Sequence, residues 1–294
     1  MFGRMKTINF TEESLNNLKF MEIGEACYNS EAHIYLYNEF VIKKYMNVSW
    51  YGFSLENRKK TIKFLNNNRR ILENELSELV LPEFYVTYHR KFAGFGMLKI
   101  SGRPLIELLK DERVEIKDKI DALIKVGEFL EKLDEVRKKE QILRDFYMND
   151  LHSGNVMIKS DGMIKFIDVD GVQVSKDIDT RALYLTQPFF SKMRELEKYE
   201  VDEETYRFKP SRETVLYCYN MMILELFVGK NISKIKYDYY MEYLDKLDSK
   251  NLDGDLLDSF KRVYDTRENI NPCHILKKVR NFTEFELQKC DKKF

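Results

Sequence analysis

Between residues 20 and 46, apolar and polar positions alternate in short runs broken by turn residues. The runs are Phe20–Ile23, His33–Tyr37 and Phe40–Tyr45, with Asn38-Glu39 separating the last two. Alternation of aromatic and β-branched residues with period two predicts a β-meander. A helical stretch is expected over 54–75, closed by Leu81-Pro82, followed by strands near Phe84–Arg90 and Gly96–Ile100. From residue 101 the period changes. Ile116, Ile120, Leu123, Ile124, Leu130 and Leu133 recur at helical spacing, so this segment predicts an amphipathic helix facing a core. Val156–Ile158 and Met163–Ile167 are short β-rich runs around Lys159-Ser160-Asp161-Gly162, which supplies turn chemistry with a glycine for positive φ. Leu216–Val228 is apolar throughout and reads as a buried helix stopped at Gly229. A strand-rich first third and a helical remainder predict an α+β protein divided near residue 100.

Composition narrows the class. The chain has 294 residues, of which 44% are hydrophobic, so a sizeable core is expected. Lys+Arg and Asp+Glu both total 49, a neutrality that argues against a general nucleic-acid binder. No apolar run approaches the length of a bilayer span, and the Met-Phe-Gly-Arg-Met-Lys start lacks a signal-peptide core. Cys27, Cys218, Cys273 and Cys290 show no Cys-x-x-Cys spacing; they read as free thiols in a reducing cytoplasm.

The candidate chemistry lies around the hairpin. Asp150 and Asn155 sit in Asp-Leu-His-Ser-Gly-Asn-Val-Met-Ile, and Asp168 ends the returning strand in Phe-Ile-Asp-Val-Asp. An Asp with an Asn five positions later, on a loop entering a strand, can accept a hydroxyl proton at one end and hold a cation at the other. A second carboxylate brought back by the hairpin gives an all-oxygen, incompletely filled coordination sphere. Mg²⁺ carrying nucleotide phosphates suits such a sphere. Asp170 reads either as an addition to a second metal site or, preferred, as a cap for the following turn.

In these residues the chain resembles the protein-kinase-like superfamily, with a catalytic Asp150 and metal ligands Asn155 and Asp168. The resemblance implies a two-lobed fold, an N-terminal lobe over 1–100 and a helical C-terminal lobe over 101–294, with ATP and Mg²⁺ between them. It extends to Ile23-Gly24, a reduced phosphate loop in which Ala26 and Asn29 stand in for glycines. Lys43 is implied as the phosphate-binding lysine, preferred over Lys44 because two apolar residues precede it. Glu56 is implied as its helix partner, ahead of Glu73 and Glu75. Met97 would be the gatekeeper, with backbone near Leu98 and Ile100 meeting the adenine. The implied reaction moves the γ-phosphate to a hydroxyl, with a protein Ser/Thr acceptor preferred. A small-molecule acceptor and a non-catalytic nucleotide-sensing module are the competing readings.

The sequence departs from that pattern in places. Met148-Asn149 stand where His-Arg is usual, and Val215 replaces an Asp that braces the catalytic loop in the family. His152 is closer to aminoglycoside and choline kinases. Without the usual arginine, an activation-segment phosphate has no ready partner. Replacing every Ser, Thr and Tyr between 172 and 210 with residues that cannot be phosphorylated is therefore expected to leave ATP-dependent turnover intact, as measured by phosphate transfer.

Overall fold

The computed structural model describes residues 5–21, 32–46, 54–148, 150–175, 198–200, 206–208, 211–228 and 272–279. Together they form an α+β structure built on one mixed sheet. The chain opens with β1 (Lys6–Phe10), a short helix α1 (Glu12–Asn16) capped by Thr11, and β2 (Lys19–Phe20). The predicted meander follows as β3 (Ala32–Tyr37) and β4 (Phe40–Tyr45), turning at Asn38-Glu39. Next come α2 (Leu55–Asn67) and α3 (Arg69–Glu75), then β5 (Pro82–Tyr88) and β6 (Lys91–Leu98). The strand order is β1-β5-β6-β4-β3-β2, with β1 parallel to β5 and the other pairs antiparallel.

Several boundaries differ from the sequence-based expectation, three of them in this region. The stretch 54–75 is two helices, broken at Asn68, whose side-chain amide donates to the Phe64 carbonyl at 2.9 Å and so competes with the backbone ladder. The strand expected through Arg90 stops at Tyr88, because His89 and Arg90 both adopt positive φ (49° and 61°) and form a tight hairpin turn without glycine. The next strand accordingly begins at Lys91 and ends at Leu98 rather than Ile100.

Both faces of the sheet are covered. Ile62 of α2 packs with Tyr45, Val80, Phe95 and Met97 on one face, while Leu15 of α1 packs with Ile42, Phe84 and Val86 on the other. Within the sheet, two glycines of β6 admit close neighbours from β5 and β4. A Cβ on Gly96 would lie 2.1 Å from the Phe84 ring, and one on Gly94 would lie 1.9 Å from the Lys43 carbonyl oxygen.

After β6 the chain enters β7 (Arg103–Pro104), α4 (Leu105–Lys110) and the long helix α5 (Ile116–Lys139). α5 buries Ile120, Leu123, Ile124, Leu130 and Leu133, the positions whose spacing predicts it. The predicted hairpin is β8 (Val156–Ile158) and β9 (Ile164–Phe166), with Gly162 at φ 75°; β7 adds to it to make a three-stranded sheet. β10 (Lys198–Glu200) and β11 (Tyr206–Phe208) form a separate pair. α6 (Arg212–Val228) starts one turn earlier than its apolar run, and α7 (Cys273–Val279) packs with it against α5. There the Tyr219 hydroxyl donates to the Leu123 carbonyl at 2.8 Å. Gly229 lies outside the described residues. No helix among the described residues is long and apolar enough to cross a membrane.

The aromatic contact between α5 and the hairpin anchors the larger core. Phe129 and Phe166 are buried with ring centroids 4.2 Å apart. Phe129→Ala is expected to cost ~3–5 kcal/mol, read as a lower denaturant midpoint with an unchanged slope.

Candidate functional site

Two backbone ties bring the hairpin residues together. The Ile167 amide donates to the Asn155 carbonyl at 3.0 Å, which sets Asp168 next in chain to a residue bonded to Asn155. Tyr147 and Gln173 exchange amide-to-carbonyl bonds at 2.9 and 3.0 Å, so the segment entering Asp150 and the segment leaving Asp170 run together. The hairpin is also tied to the six-stranded part of the fold: Phe166 donates to the Glu78 carbonyl and accepts from the Val80 amide, both at 2.9 Å. These bonds satisfy backbone groups that would otherwise be costly to bury.

Side chains then hold the Asp150 loop. Asn155 Nδ2 donates to the Asp150 carbonyl oxygen at 3.0 Å and reaches Asp150 Oδ2 at 3.4 Å. Because the amide nitrogen faces Asp150, its Oδ1 is directed elsewhere. His152 Nδ1 accepts from the Gly154 amide at 3.1 Å, and His152 Nε2 lies 3.9 Å from Asp150 Oδ1. Ser153 is buried and donates to Glu225 Oε2 of α6 at 2.6 Å. Val215 is itself buried in the core. Arg137 of α5 fastens the preceding segment, lying 3.8 Å over the Tyr147 ring and donating to the Arg144 carbonyl at 2.9 Å.

Lys43 meets this loop from the sheet. Strand alternation turns Val41, Lys43 and Tyr45 toward α2, while Lys44 points to the other face, 4.8 Å from the centre of the Tyr88 ring. The preference for Lys43 over Lys44 thus agrees with the register. Lys43 Nζ donates to Asp168 Oδ1 in a short ion pair and to both Asp170 oxygens at 3.1 and 3.2 Å. Asp170 is fully buried and also accepts from the Tyr45 hydroxyl at 2.6 Å, with Arg58 Nε 3.8 Å away.

The charges in this cluster are set against one another. Burial disfavours the Lys43 ammonium, but Asp168 and Asp170 outweigh it and raise its pKa. Burial also pushes Asp170 upward, yet Lys43 and Arg58 with the hydrogen bonds around it hold it well below the ordinary carboxylate range. For Asp168 the balance falls the other way. Burial, then the neighbouring Asp170 and Asp150 charges, exceed the pull of Lys43 and raise its pKa. Asp168 also adopts left-handed backbone (φ 64°, ψ 39°), which is sparsely populated for a residue bearing Cβ. A non-glycine held there indicates a locally over-determined turn.

The remaining expected residues divide. Met97 is buried with Val41, Ile100 and Ile167 around it, while the Leu98 side chain is 47% exposed. Ile23 and Gly24 lie outside the described residues. Glu56 does not pair with Lys43. It sits exposed in the first turn of α2, and Asp168 and Asp170 take the lysine instead. Asp170 is likewise no turn cap; it is the buried counter-ion of Lys43. Sequence reading passed over Arg58, Tyr45 and the Ser153–Glu225 bond. Tyr45 was inferable, lying two places from Lys43 on the same strand face. Arg58 shares a helix stripe with Thr61, Ile62 and Leu65, all fully buried, and a basic residue aligned with such a stripe calls for a counter-charge.

The result is one buried ammonium between two carboxyl groups whose pKa values are pushed in opposite directions, beside an amide and a carboxyl on the adjoining loop. Among the described residues no three His, Cys, Asp or Glu side chains converge to hold a metal. A divalent ion at Asp168 would therefore complete its sphere with Asn155 Oδ1, water or the oxygens of a bound ligand, an all-oxygen donor set suited to Mg²⁺. No protein-family model matches the chain, and no curated protein matches it.

A carboxyl whose pKa is raised on folding costs stability as the pH climbs through its folded value, since the folded state then gives up a proton it prefers to keep. Asp168→Asn mimics the protonated form. Its thermal midpoint relative to the parent is expected to be higher at pH 8 than at pH 5, the pH-dependent part of the difference reporting the raised Asp168 carboxyl.

Proposed function

We propose that the protein is an ATP-dependent phosphotransferase that moves the γ-phosphate to a hydroxyl, with a protein serine or threonine as acceptor. The observation that carries this reading is the convergence of Lys43 on Asp168 while the backbone before Asp168 is bonded to Asn155. A lysine from a sheet, an Asp-x-x-x-x-Asn loop and a carboxylate at a hairpin's end together supply the positive charge and oxygen ligands that a triphosphate requires.

On this reading residues 1–100 form a nucleotide-covering lobe and 101–294 an acceptor lobe, in a protein-kinase-like arrangement. Met97 would back the adenine, with the exposed chain at Leu98–Ile100 beside it. Asn155 and Asp168 would hold Mg²⁺, which when bound neutralises phosphate charge. Lys43 would bind non-bridging phosphate oxygens. Asp150, half-exposed at the mouth of its loop, would orient the acceptor hydroxyl and take its proton. Asn155 would hold the Asp150 carboxylate in place through the bonds described above. Positioning and electrostatics, not covalent chemistry, would supply the rate.

A second reading, nucleotide binding without transfer, draws on the Lys43–Asp168 ion pair itself, which occupies the carboxylate that a cation would need. Turnover separates the two. Asp150→Ala is expected to abolish transfer, by 10²-fold or more, while leaving nucleotide affinity nearly unchanged. Asp168→Ala is expected to weaken Mg-ATP binding itself. Calorimetry and a radiolabelled phosphate-transfer assay with cell lysate, resolved into protein and small-molecule fractions, check both roles and the acceptor. Identical behaviour of the two variants would contradict the assignment.

A further inference from the structure

Lys43 is buried, and a buried ammonium needs a permanent counter-charge. The only carboxylate in α2 is Glu56, which is exposed in the helix's first turn. From the same helix Arg58 enters the cluster, bringing a charge of the same sign as the lysine. The anion comes instead from Asp170, in the 169–171 turn, which has no exposed surface and gathers Lys43, Tyr45 and Arg58 around it. The room beside it is tight: a Cβ on Gly171 would lie 3.0 Å from the Arg58 guanidinium and 3.6 Å from Asp150 Cβ.

We propose that Asp170 is the positioning residue of Lys43, and that Arg58 fixes Asp170 from α2, so that the helix is coupled to the site through a cation where a helix carboxylate would be expected. This deepens the phosphotransferase reading and rests on it for its catalytic consequence. The physical advantage is that Lys43 has two carboxylates and needs only one. When Asp168 turns to a divalent ion, the ammonium keeps Asp170 and is not left orphaned. Without Asp170 the lysine and the metal would compete for one carboxylate, and the penalty would fall on metal-bound nucleotide alone. A merely structural role for Asp170 would weaken binding of nucleotide with and without metal alike.

The experiment uses the full chain as Asp170→Asn, Tyr45→Phe and Glu56→Gln, each with its thermal midpoint recorded. Calorimetry measures ATP with Mg²⁺ and ATP in EDTA. For Asp170→Asn the affinity for Mg-ATP is expected to fall about tenfold or more, a lower bound for breaking a buried pair, with a much smaller change in EDTA. Tyr45→Phe, which removes one donor to Asp170, is expected to show the same metal-selective loss to a lesser degree, and it decides the matter if the Asn variant does not fold. A second readout does not need nucleotide: the labelling rate of Lys43 by an amine reagent, resolved by peptide mass spectrometry, should rise in Asp170→Asn. Equal losses with and without metal, a loss in Glu56→Gln matching that in Asp170→Asn, or unchanged labelling would each overturn the proposal. A parent chain that binds no Mg-ATP would end the phosphotransferase reading, and the labelling comparison would still decide the role of Asp170.

Discussion

A lysine ammonium inside a protein must be neutralised where it sits, and this constraint organises the structure around Lys43. The residue projects from β4 into a space walled by α2, and its counter-charges arrive from sequence more than a hundred residues away. Meeting that need joins the sheet to the hairpin turn. The cluster is therefore both an electrostatic unit and a structural joint. Its two carboxylates are not equivalent: Asp170 is enclosed and ringed by donors, whereas Asp168 keeps 28% of its side chain exposed. Of the two, only Asp168 can exchange its partner without opening the core.

The loop that carries Asp150 is seated in the core by Phe146, Met148 and Leu151 and oriented by backbone and side-chain hydrogen bonds. The Tyr147–Gln173 exchange, the Asn155 amide and the Ser153–Glu225 bond each fix one stretch of it. Asp134 extends the hold by pairing with Arg137 of α5 at 3.1 Å and Arg212 of α6 at 2.6 Å, so the helix beneath the loop and the helix beside it share an anion. Charge-assisted bonds of this kind are directional. They set the orientation of the Asp150 segment where apolar contacts would set only its depth.

How far the sequence discloses this follows from the range of each interaction. The hairpin and its glycine turn, the α5 stripe and the inward face of β4 are decided by neighbours in the chain, and periodicity reveals them. The break at Asn68 and the His89-Arg90 turn are also local, yet they use residues whose alternative conformations compete closely with helix or strand. The counter-ion of Lys43 is a different matter. Glu56 follows from the resemblance, but the three-dimensional arrangement gives the role to an Asp of the far turn and puts Arg58 where the helix acid is expected. Nothing in the local pattern separates a carboxylate that caps a turn from one that neutralises a distant lysine. The sole local hint is Arg58 itself, a cation on the otherwise uncharged, buried face of α2. The Ser153–Glu225 bond has a similar character, since Glu225 sits in an apolar helix with no neighbour in sequence to reveal its purpose.

The parallel pairing of β1 with β5 aligns Lys6 with Phe84 and Phe10 with Tyr88. Strands so far apart along the chain cannot meet until the later one exists. During synthesis β1 must wait for β5 to emerge, leaving it a β-forming segment without its partner strand meanwhile. That sheet edge thus closes only once β5 has been made, although the strand that forms it precedes β5 by some seventy residues.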